Sequence, residues 1–430
     1  MNRSIRAAAV QLRAHDRGDF LRSLDLALEA ASEAASRAQL VVLPEATLPA
    51  YVLGDDRVDD AAIAEGLRRL CEIARAAGSV IVVGAAVRDG DRLRNGAVVI
   101  DADGSLAGRA DKIFLWHFDR RWFAGGEHLA PVETALGKLG VLVCADGRLP
   151  TIASALVDGG AQALVMPTAW VTTGRDPLAL ENFQADLLAR VRAYENGVPF
   201  VAANKCGAEL GMVAYCGKSQ ILDRRGEIVA MASEQQPETL VASIELGSGR
   251  PRGARASELS PRDRSGDRPL RLAISYEPLP ADVDARLELL DDAYAIAPGD
   301  SERLAMLDRA IPVACAGDEL VLDPTALVGC RRAEYPLVIW TTNLATPWSE
   351  RIARARAAEL RIFIVVFDAA RRRAFAVDPE GAIVAGTFGD YRLASFALDP
   401  RKTKETAVAP STDVSEGLQR VAAILERQKG

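Results

Sequence analysis

The chain has 430 residues, of which 49% are hydrophobic and 26% charged, and its 52 basic and 59 acidic side chains give a formal net charge of −7. This composition is typical of a soluble globular protein and excludes a chain that is disordered throughout. The mild negative charge argues against a protein that binds nucleic-acid phosphates. The apolar runs are far shorter than the roughly 20 residues that span a bilayer, which argues against a membrane protein.

The cysteines and histidines predict neither disulfides nor a metal site. The six cysteines are widely scattered with no CxxC pair, and the three histidines, His15, His117 and His128, all lie in the first third of the chain. The basic N-terminus has too short an apolar stretch for a signal peptide. No phosphate-binding loop or GxGxxG unit is present, so no nucleotide cofactor is expected. We therefore expect a cytoplasmic protein without metal or cofactor.

Strands alternate with helices from residue 5 to residue 246, which predicts an α/β domain. The predicted strands are 5–12, 40–43, 79–86, 93–100, one after the turn at 101–104, 139–143, 163–166, 198–203, 219–223, one after the turn at 224–227, and 240–246. The predicted helices are 19–37, 61–77, 151–157 and 180–196. In such domains, catalytic side chains are expected at the ends of strands.

The rest of the chain reads as a linker and a second, related domain. Residues 247–269 are rich in Gly, Pro, Ser and Arg and lack apolar periodicity. Three segments of the first domain, beginning at Arg190, Leu222 and Leu240, match segments beginning at Arg354, Val377 and Arg392 in the same order. The boundaries predicted are 1–248, 249–269 and 270–430, the last being a degenerate repeat. Cys330 is considered a relic of a nucleophile in that repeat.

Three residues, each near the end of a predicted strand or segment, could together carry nucleophilic chemistry. Cys144 ends an apolar strand and enters a helix, whose N-terminus favours a thiolate. Glu45 could act as a base, and Lys112 could stabilise an oxyanion. Each has an ordinary interpretation when taken alone: a buried small hydrophobe, a turn residue and a solvated lysine.

The order of these segments resembles the nitrilase superfamily of carbon–nitrogen hydrolases over residues 3–248. The resemblance rests on RAAAVQL, Pro44-Glu45, the segment at Lys112, CADGRLP, ALVMPTAW, RAYEN and GKSQILDRRGEIVA. It implies a four-layer α-β-β-α sandwich with Glu45 as general base, Lys112 as oxyanion stabiliser and Cys144 as nucleophile. It also implies that the second copy forms an internal pseudo-dimer with the first, with further homo-oligomers open.

The resemblance also suggests the substrate class. Asp119 stands seven residues after Lys112, where many members of the family carry a second catalytic glutamate; the alternative is a surface aspartate paired with a neighbouring arginine. Ala145-Asp146 follows the cysteine, whereas nitrile-cleaving branches place Trp-Glu there, so the sequence is similar to the amidase and carbamoylase branches. We expect Trp116, His117, Trp170 and Ala145 to contact the substrate.

The sequence leaves three kinds of function open, the second of which has two forms. The first is a hydrolase that cleaves a small amide or N-carbamoyl compound through a thioester on Cys144. The second is an acyltransferase, or a nitrilase acting on nitriles. The third is a binding protein without catalysis, since Asp119 and Thr151 depart from the family pattern. The second copy is expected to be silent because no lysine lies between Lys218 and Lys402.

Overall fold

The computed structural model describes residues 3–54, 58–172, 180–250, 268–345 and 347–429. The chain divides into two compact units: unit 1 is formed by Met1–Pro251 and Ala409–Gly430, and unit 2 by Arg252–Val408. Most of the predicted linker lies outside the described residues.

Unit 1 alternates strands and helices as its apolar periodicity predicts. Its strands are β1 (Arg3–Arg13), β2 (Leu40–Val42), β3 (Val80–Asp89), β4 (Arg92–Ile100), β5 (Leu106–Asp111), β6 (Val132–Thr134), β7 (Gly137–Val141), β8 (Ala163–Pro167), β9 (Phe200–Ala203), β10 (Lys205–Glu209), β11 (Val213–Cys216), β12 (Gln220–Leu222), β13 (Ile228–Met231) and β14 (Glu238–Leu246). Its first four helices are α1 (Phe20–Ala35), α2 (Asp60–Ala77), α3 (Pro150–Asp158) and α4 (Ala189–Asn196).

Two sheets lie between two layers of helices in unit 1. The first sheet has the order β11-β10-β1-β2-β3-β4-β5, with β14 also paired to β1, and the second has the order β13-β12-β9-β8-β7-β6. Helices α1 and α2 pack on the first sheet, α3 and α4 on the second, and β1, β2 and β3 face β8 and β9 across the middle. Because the sheets are covered on both faces, their central strands are continuously apolar, as β2 and β8 are. The α-β-β-α sandwich is therefore confirmed.

The predicted elements differ from the structure in two places. The short strands β6, β10 and β11 were not predicted; β10 and β11 form an antiparallel hairpin whose residues alternate too briefly to give a periodic signal. The helix predicted over 180–196 begins as a π-helical turn, Gln184–Leu188, before it continues as α4.

Unit 2 contains two main sheets. Its elements are β15 (Leu270–Ile274), α5 (Val283–Leu287), β16 (Ala293–Ile296), α6 (Ser301–Ala310), β17 (Val313–Ala316), α7 (Asp318–Val321), α8 (Pro324–Arg332), β18 (Leu337–Thr342), α9 (Trp348–Leu360), β19 (Phe363–Asp368), β20 (Arg373–Val377), β21 (Ile383–Gly386) and β22 (Ala394–Leu398). One sheet has the order β16-β15-β22 and the other β17-β18-β19-β20-β21. The core lies among these strands, around residues such as Leu272, Val365 and Ala376.

The last elements of the chain are β23 (Ala407–Ala409), β24 (Thr412–Asp413) and α10 (Val414–Arg427). The sequence placed all of residues 270–430 in the second domain, whereas the segment from Ala409 onwards belongs to unit 1. The apolar side of α10, with Val414, Leu418, Val421 and Ile424 buried, packs near α3. Local periodicity predicts such a helix but not the unit on which its apolar side is buried.

None of the helices in the described parts of the chain has the length and apolar character needed to cross a membrane.

Candidate active site

Glu45 lies in the turn after β2 and is fully buried. Its backbone passes so close to β3 that a Cβ atom added to Gly84 would fall 2.4 Å from the Glu45 Cα atom, so this position of β3 requires glycine. The Oε1 atom of Glu45 accepts hydrogen bonds from Asn95 Nδ2 at 2.7 Å and from Lys112 Nζ at 2.8 Å. Among the described residues, the buried Oε2 atom has no hydrogen-bond partner. One carboxylate oxygen is thus fixed by two hydrogen bonds, and the other has none among the described residues.

Lys112 follows β5 and is also fully buried. Its Nζ atom lies 2.8 Å from Glu45 Oε1 and 2.5 Å from Asp119 Oδ2, and it lies 5.8 Å from the centre of the Tyr51 ring. Burial alone would lower the pKa of Lys112, but the charges of Asp119 and Glu45 outweigh it and hold the pKa well above its usual value. The side chain is therefore an ammonium whose three hydrogens are only partly used by the two carboxylates.

Asp119 is buried rather than exposed, so the interpretation as a surface aspartate is wrong. It lies in the 3-10 helix His117–Arg121, and its Oδ2 atom also accepts the backbone N–H of Trp116 at 2.9 Å. Burial raises the pKa of Asp119, and the adjacent Lys112 opposes that rise. The short side chain reaches the lysine because this turn brings the backbone close to it.

Cys144 begins the 3-10 helix Cys144–Arg148 just after β7, and it adopts a positive φ of 47°. A residue other than glycine in this region is strained, and such strain is concentrated at functional sites. Burial and the charge of Glu45 raise the pKa of the Cys144 thiol, whereas Lys112, the Thr168 hydroxyl and the Ala169 backbone N–H lower it. The structure thus brings the sulfur into the electrostatic field of both Glu45 and Lys112.

Asp146 links the nucleophile turn to the lysine segment. Its Oδ1 atom accepts the backbone N–H groups of Ile113 at 3.0 Å and Phe114 at 2.8 Å, and its Oδ2 atom accepts that of Val143 at 3.1 Å. Burial raises the pKa of Asp146 to about 7, although these three donors oppose the rise. The Cys-x-Asp spacing drew attention to this residue, but the sequence assigned it no role.

The predicted substrate-contact residues have different local environments. Ala145 is the residue after the nucleophile, and Trp170 is buried two residues after Thr168. The Trp116 ring packs against the guanidinium of Arg148 at 4.6 Å. The His117 ring packs edge-on against Phe118 at 5.1 Å, and it is the His117 backbone that adopts a positive φ of 46°.

The sequence missed three side chains of the site. Asn95 on β4 gave no signal, while Thr168 lies inside the quoted motif ALVMPTAW and Tyr51 lies six residues after Glu45. Burial and the charges of Asp119 and Glu45 raise the pKa of Tyr51 well above its usual value, so its hydroxyl stays protonated.

Arg192 forms a buried ion pair with Glu195, with 2.7 Å between Nη1 and Oε1. Arg192 also donates from Nε to the carbonyl of Gly147 at 3.0 Å, and so it holds the turn that contains the nucleophile. Within the described part of the chain, no group of three or more His, Cys, Asp or Glu side chains is arranged to hold a metal ion.

Comparison with known proteins shows the family to which this chain belongs. The carbon-nitrogen hydrolase family matches residues 6–252, which is more than half of the chain. The chain belongs to the carbon-nitrogen hydrolase family. The resemblance of its sequence to the nitrilase superfamily is thereby confirmed, and with it the expectation of an enzyme that hydrolyses C–N bonds.

Individual relatives agree with this membership. A hydrolase encoded in the pqqF 5′ region of Pseudomonas protegens is 35% identical over 221 residues, 50% of this chain and 73% of the relative. A probable nitrilase of Schizosaccharomyces pombe is 30% identical over 157 residues, and the match covers 36% of this chain but only 55% of the relative. The solved structure of a glutamate-to-glutamine mutant of the amidase from Nesterenkonia sp. AN1 has a TM-score of 0.50 and 27% identity, covering 56% of this chain and 89% of that one. That mutant carries the acetamide moiety of fluoroacetamide added covalently at its active-site cysteine.

Proposed function

We propose that this carbon-nitrogen hydrolase cleaves small amides or N-carbamoyl compounds through a thioester on Cys144. The observation that carries the proposal is the buried network in which Lys112 Nζ lies 2.8 Å from Glu45 Oε1 and 2.5 Å from Asp119 Oδ2. The charges of Lys112 and Glu45 also act on the thiol of Cys144. Covalent attachment of an acetamide group to the cysteine of the Nesterenkonia amidase supports an amide substrate.

In the proposed reaction, Glu45 first takes the thiol proton on its unpaired Oε2 atom, and the sulfur attacks the amide carbon. The oxyanion that forms is stabilised by Lys112 and by the backbone N–H of Ala145. A preorganised donor of this kind contributes about 3–4 kcal/mol to the transition state. Glu45 then gives its proton to the leaving amine or ammonia, and the same carboxylate activates the water that hydrolyses the thioester.

We also propose that unit 2 is a degenerate copy without this chemistry. The strands β17-β18-β19-β20-β21 repeat the pairing of β7-β8-β9-β12-β13: two parallel pairs followed by two antiparallel ones. Both final hairpins carry a register shift, at Ile221/Leu222 and at Ala376/Val377.

Matched hydrogen bonds support the same proposal. Arg190 Nε donates to the carbonyl of Gly226 at 2.9 Å in unit 1, and Arg354 Nε donates to that of Gly381 at 2.9 Å in unit 2. These four residues are the ones that the sequence repeats align. Arg356 likewise pairs with Glu359 at 2.7 Å, as Arg192 pairs with Glu195.

The same matched arginines indicate which residue of unit 2 stands where Cys144 stands in unit 1. Arg192 Nε contacts the carbonyl three residues after Cys144, and Arg356 Nε contacts that of Val321, three residues after Asp318. Asp318 accepts a hydrogen bond from Trp340 Nε1 at 2.9 Å. Cys330 lies inside α8 instead, so under this proposal Asp318, and not Cys330, occupies the position of the nucleophile.

The test is the purified Cys144→Ala variant, with Cys71→Ala as the control for loss of a thiol away from the site. Wild type and Cys71→Ala should release ammonia from a panel of small amides and N-carbamoyl amino acids, and Cys144→Ala should not. Intact-mass analysis should show an acyl adduct on Cys144 in the wild type. Turnover by Cys144→Ala at the wild-type rate would refute the mechanism.

The same panel separates the alternatives. Added hydroxylamine or amines that divert most of the product to N-acyl compounds would identify an acyltransferase. Nitriles are added to the panel, and turnover confined to them would identify a nitrilase.

A further inference from the structure

The segment of residues 409–429 packs on unit 1 against the loop that follows Lys112. This loop runs from Ile113 to Gly126 and contains Asp119. Its conformation therefore decides whether the Asp119 carboxylate reaches the Lys112 ammonium. The segment contacts the loop at both ends and in the middle.

The first contact is at the start of the 3-10 helix that carries Asp119. The buried Thr412 Oγ1 atom accepts the backbone N–H of His117 at 2.7 Å. His117 has a positive φ of 46°, a conformation that costs about 1 kcal/mol or more for a residue other than glycine and needs support from its surroundings. Two residues further on, Asp119 reaches Lys112. Thr412 therefore holds the backbone that aims Asp119.

The second contact is at the end of the loop. Arg420 Nη2 donates to the carbonyls of Gly125 at 2.8 Å and Gly126 at 2.9 Å. The N–H of Gly126 in turn donates to the backbone carbonyl of Lys112 at 2.8 Å. The arginine thus fixes the part of the loop that is hydrogen-bonded to the lysine itself.

The third contact is made by the backbone of α10 at the start of the loop. A Cβ atom added to Gly417 would fall 2.7 Å from the ring of Phe114 and 2.9 Å from Leu149, so the helix lies directly against both side chains. Phe114 donates its N–H to Asp146, and Leu149 closes the turn that begins at Cys144. The helix therefore touches both segments that Asp146 joins.

We propose that residues 409–429 are a positioning element for Lys112 and Asp119, acting through Thr412 and Arg420. This inference rests on the proposed function, because it assigns the segment a part in the same site. The contacts of Thr412 and Arg420 are with the backbone from which Lys112 and Asp119 project. Removing Thr412 Oγ1 leaves the His117 N–H unpaired and allows the 3-10 helix to move away from Lys112.

The test compares Thr412→Val, Thr412→Ser and Gln419→Ala in the full chain. Valine keeps the shape of threonine without an acceptor, serine keeps the acceptor, and Gln419 is an exposed residue of α10 in the same segment. The probe is iodoacetamide, and the rate of alkylation of Cys144 is followed by peptide mass spectrometry from pH 6 to pH 10. This readout needs no knowledge of the natural substrate.

We expect Thr412→Val to slow alkylation of Cys144 about tenfold at pH 8 and to move its pH profile upward, because a displaced Lys112 stabilises the thiolate less. Thr412→Ser and Gln419→Ala should match the wild type. Arg420→Met alters an exposed side chain that contacts the other end of the loop, and it should also slow the alkylation of Cys144. A Thr412→Val protein that melts at a lower temperature but keeps the wild-type pH profile would overturn the proposal, as would a profile that serine fails to restore.

Failure of this inference is distinguishable from failure of the proposed function. If the wild type releases no ammonia from any amide, the proposed function fails, but the alkylation profiles still report whether the segment positions Lys112. If the wild type is active and Thr412→Val and Arg420→Met are equally active and alkylated at the wild-type rate, only the positioning role is refuted.

Discussion

Asp146→Asn is the substitution that tests most directly how the nucleophile turn is held. Asparagine keeps an oxygen for the N–H groups of Ile113 and Phe114, but it places an NH₂ group where Oδ2 accepts the N–H of Val143 at 3.1 Å. Two donors then face each other, and the buried N–H of the residue before Cys144 loses its acceptor. Leaving such a group unpaired costs about 1–3 kcal/mol.

We expect this cost to appear mainly as a lower kcat. The Val143 N–H precedes a nucleophile held at a positive φ of 47°, so a relaxed turn misdirects the sulfur. If the cost falls on the transition state, kcat decreases roughly 10- to 100-fold with little change in KM. The assay is steady-state ammonia release from the best amide of the panel, together with the melting temperature of each variant.

The matched control is Asp223→Asn. Asp223 also accepts two backbone N–H groups with one carboxylate oxygen, those of Arg225 at 2.8 Å and Glu227 at 2.9 Å, but it does so in a turn away from the site. We expect this variant to keep the wild-type kcat. An Asp146→Asn enzyme with wild-type kcat would refute the argument that the Val143 hydrogen bond orients the nucleophile.

Three further predictions concern charge and pH. Lys112→Met leaves two buried carboxylates without their cation and should lower kcat about 100- to 1,000-fold and the free energy of unfolding by about 3–5 kcal/mol, measured by steady-state kinetics and by urea titration. Thr168→Val removes a hydroxyl that lowers the pKa of the Cys144 thiol, so alkylation by iodoacetamide at pH 8 should slow several-fold; an unchanged rate would show that this hydroxyl does not act on the thiol. The folded-state pKa of Asp146 is raised from 3.8 to about 7, so between these values the folded protein holds a proton that the unfolded chain has released. The free energy of unfolding should therefore fall as pH rises from 4 to 7, by about 4 kcal/mol from this group, and urea titrations of Asp146→Asn should show a correspondingly weaker pH dependence.

The sequence by itself was sufficient for the fold of unit 1 and for the residues proposed to react. Apolar periodicity predicted most strands and helices, because a strand covered on both faces is continuously apolar and a helix covered on one face repeats every three to four residues. The motifs around Glu45, Lys112 and Cys144 lie near the ends of such elements, and their resemblance to the nitrilase superfamily indicated the chemistry. Asp119 was found through the resemblance, since it stands seven residues after Lys112, where many members of the superfamily carry a second glutamate.

Only the tertiary structure decided what holds these residues in place. Asn95 and Asp146 act through hydrogen bonds to residues on other strands and segments, and amide or carboxyl side chains with such partners look like ordinary polar residues in a sequence. The contact between Thr412 and His117 joins residues 295 positions apart, and no local pattern encodes a pairing of that separation. Local periodicity depends on neighbouring residues. The burial of α10 against the N-terminal part of unit 1 depends instead on the path of the whole chain between Pro251 and Ala409.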